Sequence, residues 1–446
     1  MTTNQSAVAV QVTVAQAVWH EGVGAFTGLV AGCFPRRETR QTLREVTEAV
    51  LMGLERINCW TLAEALGHCG PHRLQHFLSR AVWDHEAVRD QLAVFTVGHL
   101  ADDQAVLVVD ETGDEKSSTD AVGAARQYSG ALGRIGLAQV AGHLAYAGRT
   151  GHALIDRALY LTKDWAADEE RRELTGVPED LAFATKPQLA ADLLSRVRAA
   201  GLPARWVAAD EVYGGHALRQ RIRELGFDYA LAVPASHRVT TPIGRLRTAD
   251  VLAKVPKRAW QRLRTGHGTK GDRHYDWAVI EITGDDTPPG HQAGHSLLLV
   301  RRHRYTRELS FYRCHSSTPV ALADLVPVVC CRWRVKEDFQ TAKSLTGLDQ
   351  GQVTCWNSWH RWSLISIIAA ALLAVGLALH SATPSSDDNH DPDNEPMIAL
   401  TRPELLRLLR AFVLPKPAAD PENILRWSRW RRRHQHRAAA CHPRQL

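Results

Sequence analysis

The sequence predicts an α/β protein: a mixed sheet with helices on its faces, a β-rich insertion and an N-terminal helical region. Three observations predict it. The apolar runs 105–109 and 205–209 each end on an aspartate, Asp110 and Asp210, as buried strands do when they deliver a side chain to a sheet rim. Strand-like runs alternate with segments of helical spacing around them, which suits a sheet covered on its faces. From 235 to 325 that rhythm gives way to β-rich runs divided by Gly, Pro and Asp.

Taken in order, residues 1–35 are weakly patterned, and from Glu38 the chain turns helical. Leu43, Val46, Val50 and Leu54 recur at three- and four-residue spacing and give one apolar face. Thr61 reads as the cap of a short helix, Gly67-His-Cys-Gly70 as a turn, and Pro71 as the opening of a second helix over 71–80. Such a pair fits a helix-turn-helix that reads DNA, or an ordinary helical hairpin. Strands are expected at 105–109, 137–147 and 152–161, the last two joined by the turn Gly148-Arg-Thr-Gly151. Thr185-Lys-Pro-Gln188 starts a helix that Gly201 stops. A strand at 205–209, a helix at 215–225 and a strand at 229–233 follow. Inside the insertion, strands are expected at 275–282, 295–301 and 308–314, and Val335, Phe339, Ala342 and Leu345 then restore helical spacing.

The stretch 363–379 carries no charge over seventeen residues, the short limit for crossing a bilayer. Ser363, Ser366 and a run of alanines favour a helix buried on all sides, which has the same composition, so no membrane is expected as a partner. Between 381 and 396 lie five acids, three prolines and no Lys or Arg, the make-up of a solvated linker. The expected organisation is therefore a helical region at 1–100, a candidate for DNA binding through its helix-turn-helix spacing, and an α/β domain at 101–380 with its insertion at 235–325. An acidic linker at 381–400 and a basic tail at 401–446 complete it.

With 446 residues the chain can bury a large core, and 45% hydrophobic with 23% charged residues is globular composition. The net charge of +6 is concentrated: from 421 to the end there are seven arginines against the single acid Glu422. Arginine outnumbers lysine 45 to 9, and arginine is the better bidentate ligand for phosphate. Eight cysteines show no Cys-x-x-Cys pair, and no Lys or Arg precedes Arg36. A cytoplasmic, nucleoid-associated protein without a secretory signal is expected.

Asp110 sits in Val-Val-Asp-Glu-Thr-Gly and Asp210 in Ala-Ala-Asp-Glu-Val-Tyr-Gly. A carboxylate held by a buried strand is costly unless paired or bound to a cation, and two together repel until a divalent metal joins them. Either aspartate alone reads as a cap or turn residue; two strand-end Asp-Glu pairs in one α/β core read as a site. The expectation is that side chains 110 and 210 converge.

Six stretches carry a resemblance: Val109-Asp-Glu-Thr-Gly113, Ala125-Arg-Gln-Tyr-Ser-Gly130, Thr185-Lys-Pro-Gln-Leu189, Ala209-Asp-Glu-Val-Tyr-Gly214, Arg332-Trp-Arg-Val-Lys-Glu-Asp-Phe339 and Lys343-Ser-Leu-Thr-Gly-Leu-Asp349. With Trp359-His-Arg-Trp362 and Trp427-Ser-Arg-Trp-Arg-Arg-Arg433, the sequence resembles bacterial insertion-sequence transposases of the DDE class, in the group numbered seven hundred and one, related to group four. The resemblance implies an RNase H-like catalytic fold with a β-rich insertion before the last catalytic helix. It also implies two Mg²⁺ ions (Mn²⁺ as substitute), cleavage at element ends and strand transfer into target DNA. Double-stranded DNA with terminal inverted repeats is the implied partner, and holding two ends together implies a homodimer on DNA.

Carried over, Asp110 and Asp210 fill the first two acidic positions, as catalytic residues and metal ligands. Relatives show Arg-Trp-x-hydrophobic-Glu, but this chain has Lys336 at the glutamate position and Glu337 after it. Arg332, Lys336, Gln340 and Lys343 fall on one helical stripe, with Glu337 rotated from it by about 100°. The expectation is that Glu337 serves as the third catalytic and metal-binding acid. The alternatives are a catalytically impaired, DNA-binding derivative marked by Lys336, and a nuclease of the same fold without strand transfer. Arg332, Lys336 and Lys343 are expected to hold DNA phosphates. In the tail, Arg429, Arg431, Arg432 and Arg433 interleave with Trp427 and Trp430, the composition of a nucleic-acid contact in which indoles stack on bases. Arg126, Gln127 and Tyr128 fit either support of the site or DNA contact. Gly266-His-Gly-Thr-Lys-Gly271 matches a dinucleotide fingerprint by letter but precedes a strand, and His291 and His295 read as hydrated loop residues.

Overall fold

The computed structural model describes residues 3–268, 271–382 and 399–441. Five helices come first: α1 (Thr3–Leu29), α2 (Arg37–Val50), α3 (Cys59–Ala65), α4 (His72–Ser79) and α5 (His85–Leu100). Leu43, Val46 and Val50 form the buried face of α2, as their spacing predicts. The cap of α3 is Asn58 rather than Thr61; the two exchange bonds in a capping box, which starts the helix three residues earlier than a Thr61 cap would.

Twelve strands follow: β1 (Val106–Glu115), β2 (Ala125–Ser129), β3 (Arg134–Ala147), β4 (His152–Tyr160), β5 (Trp206–Ala209), β6 (Asp228–Val233), β7 (Arg238–Thr241), β8 (Gly244–Arg247), β9 (Gln261–Gly268), β10 (Gly271–Glu281), β11 (His295–Arg302) and β12 (Leu309–Ser316). Among them run α6 (Lys163–Ala167), α7 (Glu169–Thr175), α8 (Lys186–Ala199), α9 (His216–Glu224) and α10 (Thr248–Leu252). After them come α11 (Leu322–Cys331), α12 (Arg334–Thr346), α13 (Trp356–Ala382), α14 (Arg402–Phe412) and α15 (Pro421–Cys441).

Five strands make the core in the order β4-β3-β1-β5-β6. β3 is antiparallel to both β1 and β4, while β5 is parallel to β1 and β6 to β5. This is the RNase H-like arrangement, a mixed sheet in which only the second core strand runs against the rest. Its parallel neighbours β5 and β6 need a crossover, which α9 supplies. The short β2 pairs with the start of β3.

The insertion does not form a separate lobe. β12 pairs antiparallel with β6, and β11, β10 and β9 follow in turn, so one sheet runs from the core into the inserted strands. β6 would otherwise present an open edge of unpaired backbone groups. Of the stretch from Gly266 to Gly271, Gly266 to Gly268 end β9 and Gly271 begins β10, while Thr269 and Lys270 lie outside the described residues.

α13 has the length and apolarity to cross a bilayer, yet 83% of its most apolar window is buried within the protein. It packs on α1, α2, α4, α5, α12, α14 and β4. The N-terminal helices thereby share one continuous core with the sheet, reaching from Trp19 to Trp427. Most of the acidic stretch 381–400 lies outside the described residues.

Candidate active site

The last paired residues of parallel β1 and β5 are Val109 and Ala209. One step further, Asp110 and Asp210 emerge side by side on the same face of strands about 4.8 Å apart. Asp110 is almost wholly buried, and its Oδ1 accepts from the Glu111 amide at 2.8 Å. Asp210 accepts from the Val212 amide at 3.0 Å, capping the turn that ends β5. Burial, then the charges of Asp110 and Glu111, push the Asp210 carboxyl above its usual pKa, against the pull of the Val212 amide and of Arg332. The two aspartates of the sequence motif are brought together.

The third position is occupied by a cation. α12 lies along β1, and Lys336 Nζ stands 2.7 Å from Asp110 Oδ2, an ion pair whose angles fall outside hydrogen-bond geometry. Two turns on, Lys343 Nζ reaches Asp114 Oδ1 at 2.9 Å and the Gly113 carbonyl at 3.0 Å. Seven helical residues rise about 10.5 Å and four strand residues about 13 Å, so the stripe matches the strand face on which Asp110 and Asp114 lie. Lys343, expected on DNA, is thus committed to the protein itself. Arg332 remains half-buried over Trp333 with its charge felt at Asp210.

Glu337 is not placed with the aspartates. Its carboxylate lies 3.3 Å from His152 Nε2 and is 68% exposed. Adjacent helical residues point about 100° apart, and Lys336 holds the inward direction. His152 Nδ1 meets the buried Asp338 at 2.9 Å, and Arg402 Nη1 binds the same carboxylate at 2.6 Å. Burial alone would lower the His152 pKa, but Asp338 and Glu337 outweigh it and raise it. The contact with His152 in turn holds the Glu337 carboxyl below its usual range.

Three residues of the site were not singled out by the sequence. Glu111 points to the sheet face opposite Asp110, where Tyr213 Oη donates to its Oε2 at 2.8 Å and Lys186 pairs with its Oε1. Lys186 also lies over the Tyr160 ring, 5.6 Å from its centroid. The Asp-Glu-Thr-Gly, Thr-Lys-Pro-Gln and Asp-Glu-Val-Tyr-Gly motifs are therefore tied at one point. The signal was the presence of one unexplained polar residue in each. Burial and the Glu111 charge push the Tyr213 phenol well above its usual pKa, so it stays a donor. Gly113 allows Ser129 to approach: a Cβ there would lie 2.4 Å from Ser129 Oγ. Gln127 Nε2 donates to the Ala138 carbonyl at 2.9 Å, whereas Arg126 and Tyr128 are exposed.

Among the described residues no three His, Cys, Asp or Glu side chains converge as metal ligands; His291 is an exposed loop residue whose Nδ1 lies 3.2 Å from the Pro289 carbonyl. The Asp110–Asp210 pair has the donor chemistry for one divalent ion. The two-ion cluster implied by the resemblance does not fit the residues present, since an ammonium stands where a third carboxylate would complete it.

The tail is built differently from its sequence expectation. Trp427 is fully buried, and its Nε1 donates to the His68 carbonyl at 2.9 Å; Trp430 packs edge-on against Trp60 at 4.9 Å between ring centroids. These indoles join the protein's own core instead of standing ready for bases. Arg431 pairs with Glu64, while Arg429, Arg432 and Arg433 are exposed.

The chain is 26% identical over 210 residues to a probable transposase for insertion sequence element IS701 from Microchaete diplosiphon, over 46% of this chain and 52% of that protein. It thus spans about half the length of the curated relative it matches. It is also similar, with a TM-score of 0.38 and 10% identity, to the piggyBac transposase seen by cryo-EM in a synaptic complex with hairpin DNA, over 94% of this chain and 82% of that one. That likeness is too slight to bear on fold or function. The model of the DDE superfamily endonuclease family matches residues 29–281, more than half of the sequence. The chain, with its two converging aspartates, belongs to the DDE superfamily endonucleases.

Proposed function

We propose that the protein is an insertion-sequence transposase derivative that binds DNA while Lys336 holds its cleavage chemistry in check. Its substrates are double-stranded DNA, as terminal inverted repeats and target, engaged by a homodimer. The family's chemistry is metal-dependent cleavage and strand transfer, with Mg²⁺ or Mn²⁺ supplying charge neutralisation at the scissile phosphate. The ion pair between Lys336 and Asp110 is the observation that carries this reading. A lysine at that point neutralises the first carboxylate and repels a divalent cation, and it offers a scissile phosphate an ammonium instead. Arg332, half-buried with its charge felt at Asp210, would be the second cation for the same phosphate. Glu337, turned to His152, supplies no third ligand.

Mn²⁺ titration of the wild type, Lys336→Glu and Glu337→Gln tests this, alongside nicking of supercoiled plasmid. Lys336→Glu should tighten Mn²⁺ binding by at least about tenfold and switch on nicking, as 1.4 kcal/mol or more would do. Glu337→Gln should leave wild-type metal binding unchanged. A wild type that already nicks and binds Mn²⁺ as tightly as Lys336→Glu, and loses both in Glu337→Gln, would defeat the reading.

A further inference from the structure

We infer that α15 and α4 form a single face that binds duplex DNA, with Arg429, Arg432, Arg433 and Arg437 on its phosphates and the outer row of α4 beside them. The inference rests on the function proposed above only in taking DNA as the partner.

α15 is divided along its 21 residues. Its inner part is an anchor on the α3–α4 turn. Asn423 Nδ2 donates to the Glu64 carbonyl at 3.0 Å, Arg426 to the Gly67 carbonyl at 3.3 Å and Trp427 to the His68 carbonyl at 2.9 Å. Glu64 lies in the last turn of α3, and Gly67 and His68 lie in the turn that follows it, so α15 is fastened to backbone carbonyls of the α3–α4 connection. Trp430 sits between Trp60 and His72, the first residue of α4. The position of α15 relative to α4 is therefore fixed by burial and hydrogen bonds.

The outer part is exposed at every residue from 432 to 441 and carries Arg432, Arg433, His434, His436 and Arg437 with no acid. That is about 15 Å of helix whose hold on the protein is the ring of His434, stacked on Trp430 and edge-on to Trp60. Tertiary packing is what ordinarily holds a helix of this length in water, so this one lacks most of its usual support. A polyanion would supply it. The exposed row of α4, made of His72, Gln75, His76 and Ser79 and continued by Arg80, also lacks acids and begins beside Trp430.

The same anchor decides which polyanion fits. Single strands are gripped by aromatic platforms on which bases stack, with cations along the backbone. Here Trp427 is fully buried and the half-buried Trp430 is already stacked on His434 and edge-on to Trp60, so the rings of the tail are taken up by the protein's own packing and the cations stand without a platform. A duplex, whose bases are already stacked and whose surface is a lattice of phosphates, needs only the cations.

The test uses the full chain in EDTA, which removes any dependence on the carboxylate site, with a short duplex and its separated strand as probes at several KCl concentrations. The triple variant Arg432→Ala, Arg433→Ala, Arg437→Ala should melt as the wild type does. Its log affinity for the duplex should fall less steeply with log salt by roughly 2 to 3 units, near 0.9 for each phosphate no longer neutralised. Gln75→Glu with His76→Glu should weaken duplex binding at least threefold with no change in melting. An unchanged salt slope in the triple variant removes α15 from the face, and unchanged affinity in the α4 variant removes α4; either overturns the inference. Tighter binding of the single strand than of the duplex overturns it too. None of these outcomes touches the Mn²⁺ response of Lys336→Glu, so the two proposals fail separately.

Discussion

Asp110 and Lys336 form their ion pair because two periodicities coincide. The strand brings every second side chain to one face, and the helix returns its stripe at three and four residues, so Asp110 and Asp114 meet Lys336 and Lys343. Moving the acid by one residue, from 336 to 337, carries it a quarter-turn away to His152. Tolerance at this site is equally narrow beside the carboxylates. In Gly113→Ala the new methyl would fall 2.4 Å from Ser129 Oγ and 3.0 Å from Ser129 Cβ, with Val140 behind it at 3.2 Å. We expect that variant to lose about 1–3 kcal/mol in urea denaturation, the usual cost of overpacking, and Ser129→Gly to recover part of the loss. Unaltered stability in Gly113→Ala would show that Ser129 does not lie against Gly113 as described. Asp110 and Asp210 were legible in the sequence because an apolar run that stops on a carboxylate has few meanings. Glu111 was not, since its partners lie 75 and 102 residues away in motifs that each read as a cap or turn.

At the scale of elements, the tail shows how a basic helix can be both anchored and presented. Trp427 contributes the anchor: it is among the largest fully buried side chains, bonded to the His68 carbonyl. Trp427→Ala should destabilise the protein by about 3–5 kcal/mol, and limited proteolysis should then cut ahead of α15 first. If neither the melt nor the cleavage pattern moves, α15 is not docked as described. Nothing local in the sequence marks this docking, because an indole among arginines looks the same whether it faces bases or a distant helix. The insertion was legible in part for a related reason. β10, β11 and β12 announce themselves by apolar, β-branched and aromatic runs, whereas β9 reads Gln-Arg-Leu-Arg-Thr-Gly and is a strand only because β10 pairs with it. The helical face of α2 and the caps of α8 need no such partner, since their own spacing and cap residues mark them.

Across the whole molecule, several histidines are sealed in the core in neutral form. Burial pushes His143 and His360 down to about 3 and His315 to about 4. The unfolded chain would protonate each near its ordinary value of about 6.5, so between these limits unfolding takes up protons. Their contribution to stability is therefore complete above pH 6.5 and is lost as the pH falls toward 4. His152 runs the other way, since its raised pKa adds stability below 6.5 and loses it as the pH climbs through the folded value. Burial lowers His68 and His237 as well, so among the described histidines five lowered groups stand against one raised and acid is the weak side. The urea midpoint should be lower at pH 5 than at pH 7, on the order of 2 kcal/mol per buried histidine, and proton uptake should accompany unfolding at pH 5. Equal or greater stability at pH 5 would mean that these rings are not enclosed as described.

The ladder between β6 and β12 sets what the inserted strands can do mechanically. Because they continue the sheet that carries Asp110 and Asp210, they cannot swing on a hinge like a lid. Displacing them would mean twisting or breaking the β6–β12 ladder, so the insertion is fastened by backbone hydrogen bonds to the sheet from which the two aspartates emerge.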